Sequence, residues 1–126
     1  MKSIIVLLGI SFFFFVSMGI AMGEAPLPVV SKVDLDRYLG KWYEIARYPA
    51  WFQKGCVGST AHYSLLDNGK IKVLNRCYKD SLEGPLKESK GKAEVVDTTT
   101  NAKLKVWFFW PFKGNYWIID LSPDYQ

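Results

Sequence analysis

Cysteine and histidine are the scarce residues of this chain, which holds two Cys and one His. Cys56 and Cys77 stand far apart, and neither forms a CxxC pair or a Cys/His cluster, so a zinc site has no ligand set to build on. His62 falls on the outward face of a strand pattern and reads as an ordinary surface residue, which leaves a haem ligand without support. Long helical periodicity is missing too, which excludes a helix bundle. The net charge is +4, but the basic residues are spread along the chain and form no block, so the footprint of a nucleic-acid binder is absent. Glu44 and Asp120 could be imagined as a catalytic acid pair, yet nothing places a nucleophile or leaving group beside them, and a structural role is the better reading, with Glu44 low in the fold and paired with Arg47 or a residue beyond the chain's end. No metal or cofactor is implied, and no enzyme activity is expected.

The chain does have an apolar start. Lys2 precedes an apolar run from Ile4 to about Met22 that includes Phe12-Phe13-Phe14-Phe15, and Ala21-Met22-Gly23 is a small-x-small cleavage pattern. This predicts a leader over residues 1–23, cut after Gly23, and a domain over 24–126 that is secreted or periplasmic. The alternative is a retained anchor, since the run is close to the ~20 residues that span a bilayer. No Cys lies near the cut, so the thiol that bacterial lipoproteins acylate is not there.

Behind the leader, period-2 alternation dominates. Strands are predicted over Lys41–Tyr48, Thr60–Leu66, Lys70–Tyr78, Lys87–Val95, Ala102–Phe108 and Tyr116–Leu121. Asp67-Asn68-Gly69 is a strong hairpin signal because Asn and Gly accept the positive φ of a tight turn. Loops are expected at Pro49–Cys56 and at Trp110–Gly114. Short strands joined by hairpins predict an all-β, antiparallel up-and-down meander that closes into a barrel to hide its edges. Gly40, two residues before Trp42 at the mouth of the first strand, lets the chain bend so that the indole plugs the closed end. The chain ends at Asp124-Tyr125-Gln126 with six of the eight strands of a closed barrel, and a fragment truncated at the C-terminus is expected.

Alternation also assigns the inner face. Ala61, Tyr63, Ile71, Val73, Asn75, Ala93, Leu104, Val106 and Phe108 point inward, with Tyr116 and Ile118 beside them on a strand that alternates little. The small residues Ala61, Gly91 and Ala93 are expected to leave room for a guest. The opposing reading is a solid core. Tyr63 and Asn75 could hold a polar headgroup, but satisfying each other or binding water is the better reading. Cys56 and Cys77 both fall at the mouth, and in an oxidising space a bridge between them would pin the loop across the entrance. Register through Asn68-Gly69 puts Cys77 opposite about Thr60, so that loop would have to fold back. Free thiols are the alternative, with an inward Cys77 as a conceivable nucleophile. Trp51, Phe52, Trp110 and Phe112 crowd the mouth loops, either packed on each other as a lid, or as a surface that docks on a membrane or a protein or guides a lipid inward.

The segment Tyr38-Leu39-Gly40-Lys41-Trp42-Tyr43-Glu44-Ile45-Ala46-Arg47 resembles the G-x-W signature of the lipocalins, in the branch of the bacterial lipocalins and apolipoprotein D. Asn68-Gly69-Lys70-Ile71-Lys72-Val73-Leu74-Asn75 looks like the same branch, and Asp124-Tyr125 resembles the second signature. The resemblance covers residues 33–126. Gly40, Trp42, Asp124 and Tyr125 are the motif residues, and strand counting brings the two motifs together at the closed end. The third signature, an Arg packed over the Trp, would fall beyond Gln126. Some bacterial lipocalins are acylated lipoproteins, and the missing Cys departs from them. What the resemblance implies is binding, storage or transport of a small hydrophobic ligand, a fatty acid or lysophospholipid, in the barrel cavity of an exported protein, with possible membrane contact through the mouth loops.

Overall fold

The computed structural model describes residues 1–6 and 25–126. Most of the apolar run, and the cut after Gly23, lie outside these residues. The strands are β1 (Ser3–Val6), β2 (Gly40–Arg47), β3 (Cys56–Leu65), β4 (Ile71–Lys79), β5 (Leu86–Val95), β6 (Lys103–Phe109) and β7 (Phe112–Trp117), with the one-turn helix α1 (Leu35–Tyr38) ahead of β2. They form one sheet in the order β1-β2-β3-β4-β5-β6-β7. From β2 onward every pairing is antiparallel, so six consecutive strands make a meander curled into a half-barrel. β1 runs parallel to the outer edge of β2, with Ser3 opposite Tyr43.

Turn chemistry places the hairpins. Gly69 sits at φ +78, and the Leu66 N–H donates to the Lys70 carbonyl, closing the β3–β4 hairpin where Asn68-Gly69 predicts it. Asp34 caps α1 by accepting the Arg37 N–H at 3.3 Å. Gly40 follows at φ +104, a conformation that lets the chain swing directly from α1 into β2.

Three expectations need correction. The last strand is Phe112–Trp117, not Tyr116–Leu121, and the loop expected at Trp110–Gly114 shrinks to a turn at Trp110-Pro111, with Phe109 opposite Phe112. Gly114 signals a loop in sequence, but here it pairs with Val106 inside the sheet, where a missing side chain is tolerated at a strand near the edge. Ile118 leaves the strand and is held instead by the N-terminal segment, its carbonyl accepting the Val30 N–H and its own N–H donating to Ala102. The second strand starts at Cys56, four residues earlier than predicted. The mouth loop does not fold back to reach Cys77. An irregularity between Val57 and Thr60, with Gly58 at φ +59, absorbs the extra residue and brings Cys56 opposite Lys79.

The core lies on the concave side and toward one end. Val33 and Ala102 are fully buried, and Trp42 is 2 % exposed. They join Tyr38, Ala61, Tyr63, Ile71, Val73, Ala93, Leu104, Val106, Ile118 and Tyr125 in one apolar cluster. The convex side carries the polar members of the alternation, including His62.

Candidate functional site: the concave face of the half-barrel

Strand direction sets the floor and the mouth. β2 starts at the floor, so the β3–β4 hairpin returns there, while residues 47–56 and the Trp110-Pro111 turn lie at the mouth. Trp42 sits at the floor because Gly40 and α1 deliver it there. Its Nε1–H donates to the Tyr38 carbonyl at 2.7 Å, and its ring lies 4.8 Å from that of Tyr38. The second motif converges on the same end. The Tyr125 hydroxyl accepts the Asp34 N–H at 2.8 Å, and the Arg37 guanidinium lies 4.2 Å over the Tyr125 ring while donating to the Pro123 carbonyl. Asp124 stays exposed, and the Ser122 hydroxyl beside it holds its carboxyl below the usual range. Lys2 also reaches the floor, donating to the carbonyls of Arg37 and Leu39.

Above Trp42 stands a tyrosine network that sequence reading missed in part. Tyr38 and Tyr116 share a hydrogen bond of 2.8 Å, and the Tyr63 hydroxyl donates to Tyr116 at 3.2 Å. Tyr63 was expected to meet Asn75, water or a headgroup. Its partner is Tyr116, because the curl of the sheet brings β3 and β7 together across the interior while Asn75 faces Ala61 and Ser89. Tyr38 is the residue missed. Its place four positions before Trp42 in the motif was the available signal. Burial pushes the Tyr63 hydroxyl up to about 12, and burial likewise raises Tyr38 and Tyr116. All three remain protonated donors at neutral pH. Three hydroxyl protons serve two hydrogen bonds, so one proton is left to meet water or a polar atom of a guest.

The predicted inner residues do come together. Ala61, Tyr63, Ile71, Val73, Ala93, Leu104, Val106 and Ile118 are buried on the concave side, and Phe108, Tyr116 and Asn75 are half-buried. Apart from the tyrosines, no polar or charged residue is fully buried among the described residues, and the Glu44 side chain is 10 % exposed. The floor half is filled by its own side chains. Room expected at Gly91 is already taken: a Cβ there would lie 2.7 Å from the Trp107 carbonyl oxygen and 2.8 Å from the Phe108 ring. The small residue thus admits the Phe108 ring and the neighbouring strand. Toward the mouth the face opens, with Ser89 exposed and Asn75 and Phe108 partly so.

At the mouth, Cys56 and Cys77 form a disulfide with Cα atoms 5.3 Å apart. Cys77 therefore offers no free thiol, which removes the nucleophile that the enzymatic alternative requires. Arg47 braces the same loop. It pairs with the largely buried Glu44 side chain and donates to the Ser59 hydroxyl and to the carbonyls of Gln53 and Cys56. The rings of the mouth loops face outward. Trp51 is 84 % exposed with its edge against Phe52, and Trp110 and Phe112 are 76 % and 77 % exposed.

Comparison with known proteins agrees with this geometry. A family model described as a lipocalin-like domain matches residues 33–126. The outer membrane lipoprotein Blc of Vibrio cholerae is 44% identical over 105 residues, covering 83% of this chain and 60% of the relative. Blc of Escherichia coli K12 is 45% identical over 98 residues, covering 78% of this chain and 55% of the relative. Apolipoprotein D of Mus musculus is 42% identical over 109 residues, covering 83% and 54%. The chain thus spans just over half the length of these curated relatives. With both motifs docked at the floor of a six-strand meander and the family model matched along 33–126, the chain belongs to the lipocalin family.

Proposed function

We propose that this protein binds a small hydrophobic ligand, a fatty acid, lysophospholipid or similar lipid, on the concave face of its sheet, and stores or carries it outside the cytoplasm without chemical conversion. The observation that carries the reading is the inner face itself: an apolar strip running from the packed floor at Trp42 to an open upper half at Phe108, on which the inward carboxylate of Glu44 is paired with Arg47. Each methylene removed from water contributes about 0.8 kcal/mol, so an acyl segment of about ten carbons gains roughly 8 kcal/mol before the loss of free motion is counted. The tail lies over the filled floor against the partly open Phe108, and the headgroup stays near the polar rim at Asn75 and Ser89. The relatives' names, lipoprotein and apolipoprotein, agree with an exported protein that works near lipid. The test is titration with a fluorescent fatty acid followed by displacement with unlabelled lipid. Saturable displacement is expected; a folded protein that shows none refutes carriage.

The mouth loops favour a second element of the same function, contact with a membrane. Trp51, Trp110 and Phe112 expose most of their ring surface at the entrance, and indoles settle at membrane–water interfaces. A protein partner seated on the same rings is the competing occupant, and vesicle binding by the purified protein decides between them.

A further inference from the structure

The lysines that look scattered in sequence gather on one side of the folded sheet. Outward positions of β4 and β5 include Lys72, Lys90 and Lys92, with Lys72 directly opposite Lys92 and Lys90 opposite Leu74. Like charges set opposite one another across a ladder weaken it, so this placement is not one that sheet stability favours. Glu88 and Glu94 are the only carboxylates on the outward positions of β4 to β7, and both are engaged, Glu88 with Arg76 at 3.1 Å and Glu94 with Lys113 at 2.6 Å and Lys70 at 3.9 Å. Among the described residues, no carboxylate lies within ion-pair distance of Lys72, Lys90 or Lys92. These three line an open cleft of about 360 Å³ whose aromatic wall is made by Trp107, Phe108 and Trp110. Directly beyond it, the β6–β7 tip turns Phe109 and Phe112 into solvent, 76 % and 77 % exposed.

We propose that this lysine cleft and the adjoining aromatic tip form a docking surface for an anionic phospholipid bilayer, so that the convex side of the sheet, and not the mouth alone, faces the membrane. The three ammonium groups meet lipid phosphates while the tip rings enter the boundary between headgroups and acyl chains. Charge complementarity selects the occupant. The cleft has unneutralised cations and no paired acid, and the rings beside it suit an apolar layer under the phosphates better than a fully polar polyanion. The inference extends the membrane contact proposed above, and its three lysines lie outside the proposed ligand face.

Co-sedimentation with phosphatidylcholine vesicles, with and without phosphatidylglycerol, tests it. The protein is expected to favour the phosphatidylglycerol vesicles and to release them as salt is raised. The combined variant Lys72→Gln, Lys90→Gln, Lys92→Gln is expected to lose affinity for them on the order of a hundredfold. Its displacement of a fluorescent fatty acid should stay unchanged, so failure of docking and failure of carriage read out separately. Should the triple variant not fold, the single exposed change Lys90→Glu carries the same test, with a loss of roughly tenfold or more. Equal binding of the variant and the unaltered protein to phosphatidylglycerol vesicles overturns the proposal. So does binding of the unaltered protein to heparin or RNA without binding to the vesicles.

Discussion

Trp42 and Tyr125 show how single side chains close one end of this sheet. The indole is almost wholly buried and spends its one donor on the Tyr38 carbonyl, so it adds apolar area without an unsatisfied polar group. Trp42→Ala should lower the unfolding free energy by about 3–5 kcal/mol, read by urea denaturation. Tyr125 adopts φ +61, a conformation that costs roughly 1–2 kcal/mol for a residue with a Cβ. The hydrogen bond from Asp34 and the Arg37 guanidinium over its ring hold it there. The tyrosine network predicts a pH response. A Tyr63 pKa near 12 in the folded protein lies above the unfolded value of 10.0, so between the two the folded state holds more protons than the unfolded one. Its stabilising contribution is therefore complete below pH 10.0 and lost as pH climbs toward 12. Tyr38 and Tyr116 shift in the same direction. Unfolding free energies measured across this range should fall with pH, and Tyr63→Phe should make the fall shallower. An identical slope in the variant would remove Tyr63 from the account.

Between elements, two contacts govern how the strands meet. The disulfide joins the start of β3 to β4 across a sequence separation of 21 and ties down the loop that Arg47 also braces. Closing a loop of that length restricts the unfolded chain, and replacing both cysteines by Ser should reduce stability by about 3 kcal/mol, measured by thermal or urea unfolding. Gly91 lets β6 and the Phe108 ring approach β5 closely. Gly91→Val drives a side chain against the Trp107 carbonyl, which cannot move without disturbing the pairing of Lys92 with Trp107. A loss of about 1–3 kcal/mol is expected from such overpacking. Alternation along β3, β4 and β6 was legible because each has one wet and one dry face, and a period of two residues records that difference directly. β7 was misplaced by several residues. Pro111 before it and Gly114 within it imitate a loop in sequence, and the apolar run after Trp117 leaves the strand, with Ile118 buried in the common core and Ile119 exposed.

As a whole molecule, the protein presents two unlike surfaces: an apolar concave face and a basic convex one. The first predicts linkage between ligand and stability. A lipid at about a hundred times its dissociation constant should raise the unfolding free energy by about 2.7 kcal/mol, seen as an upward shift in melting temperature, whereas a lipid bound only to the surface rings of the unfolded chain would not.

Sequence alone determined the meander, the hairpin at Asn68-Gly69, the motif that sends Trp42 to the floor and the inward set from Ala61 to Phe108. All of these are written in neighbouring residues through periodicity, turn geometry and motif spacing. Only the tertiary structure decided that Phe108 fills the space over Gly91, that Tyr38, Tyr63 and Tyr116 share hydrogen bonds across the interior, and that Lys72, Lys90 and Lys92 stand together. The physical reason is distance along the chain. Tyr38 and Tyr116 are 78 residues apart, and groups so separated meet only once the curl and shear of the sheet are set.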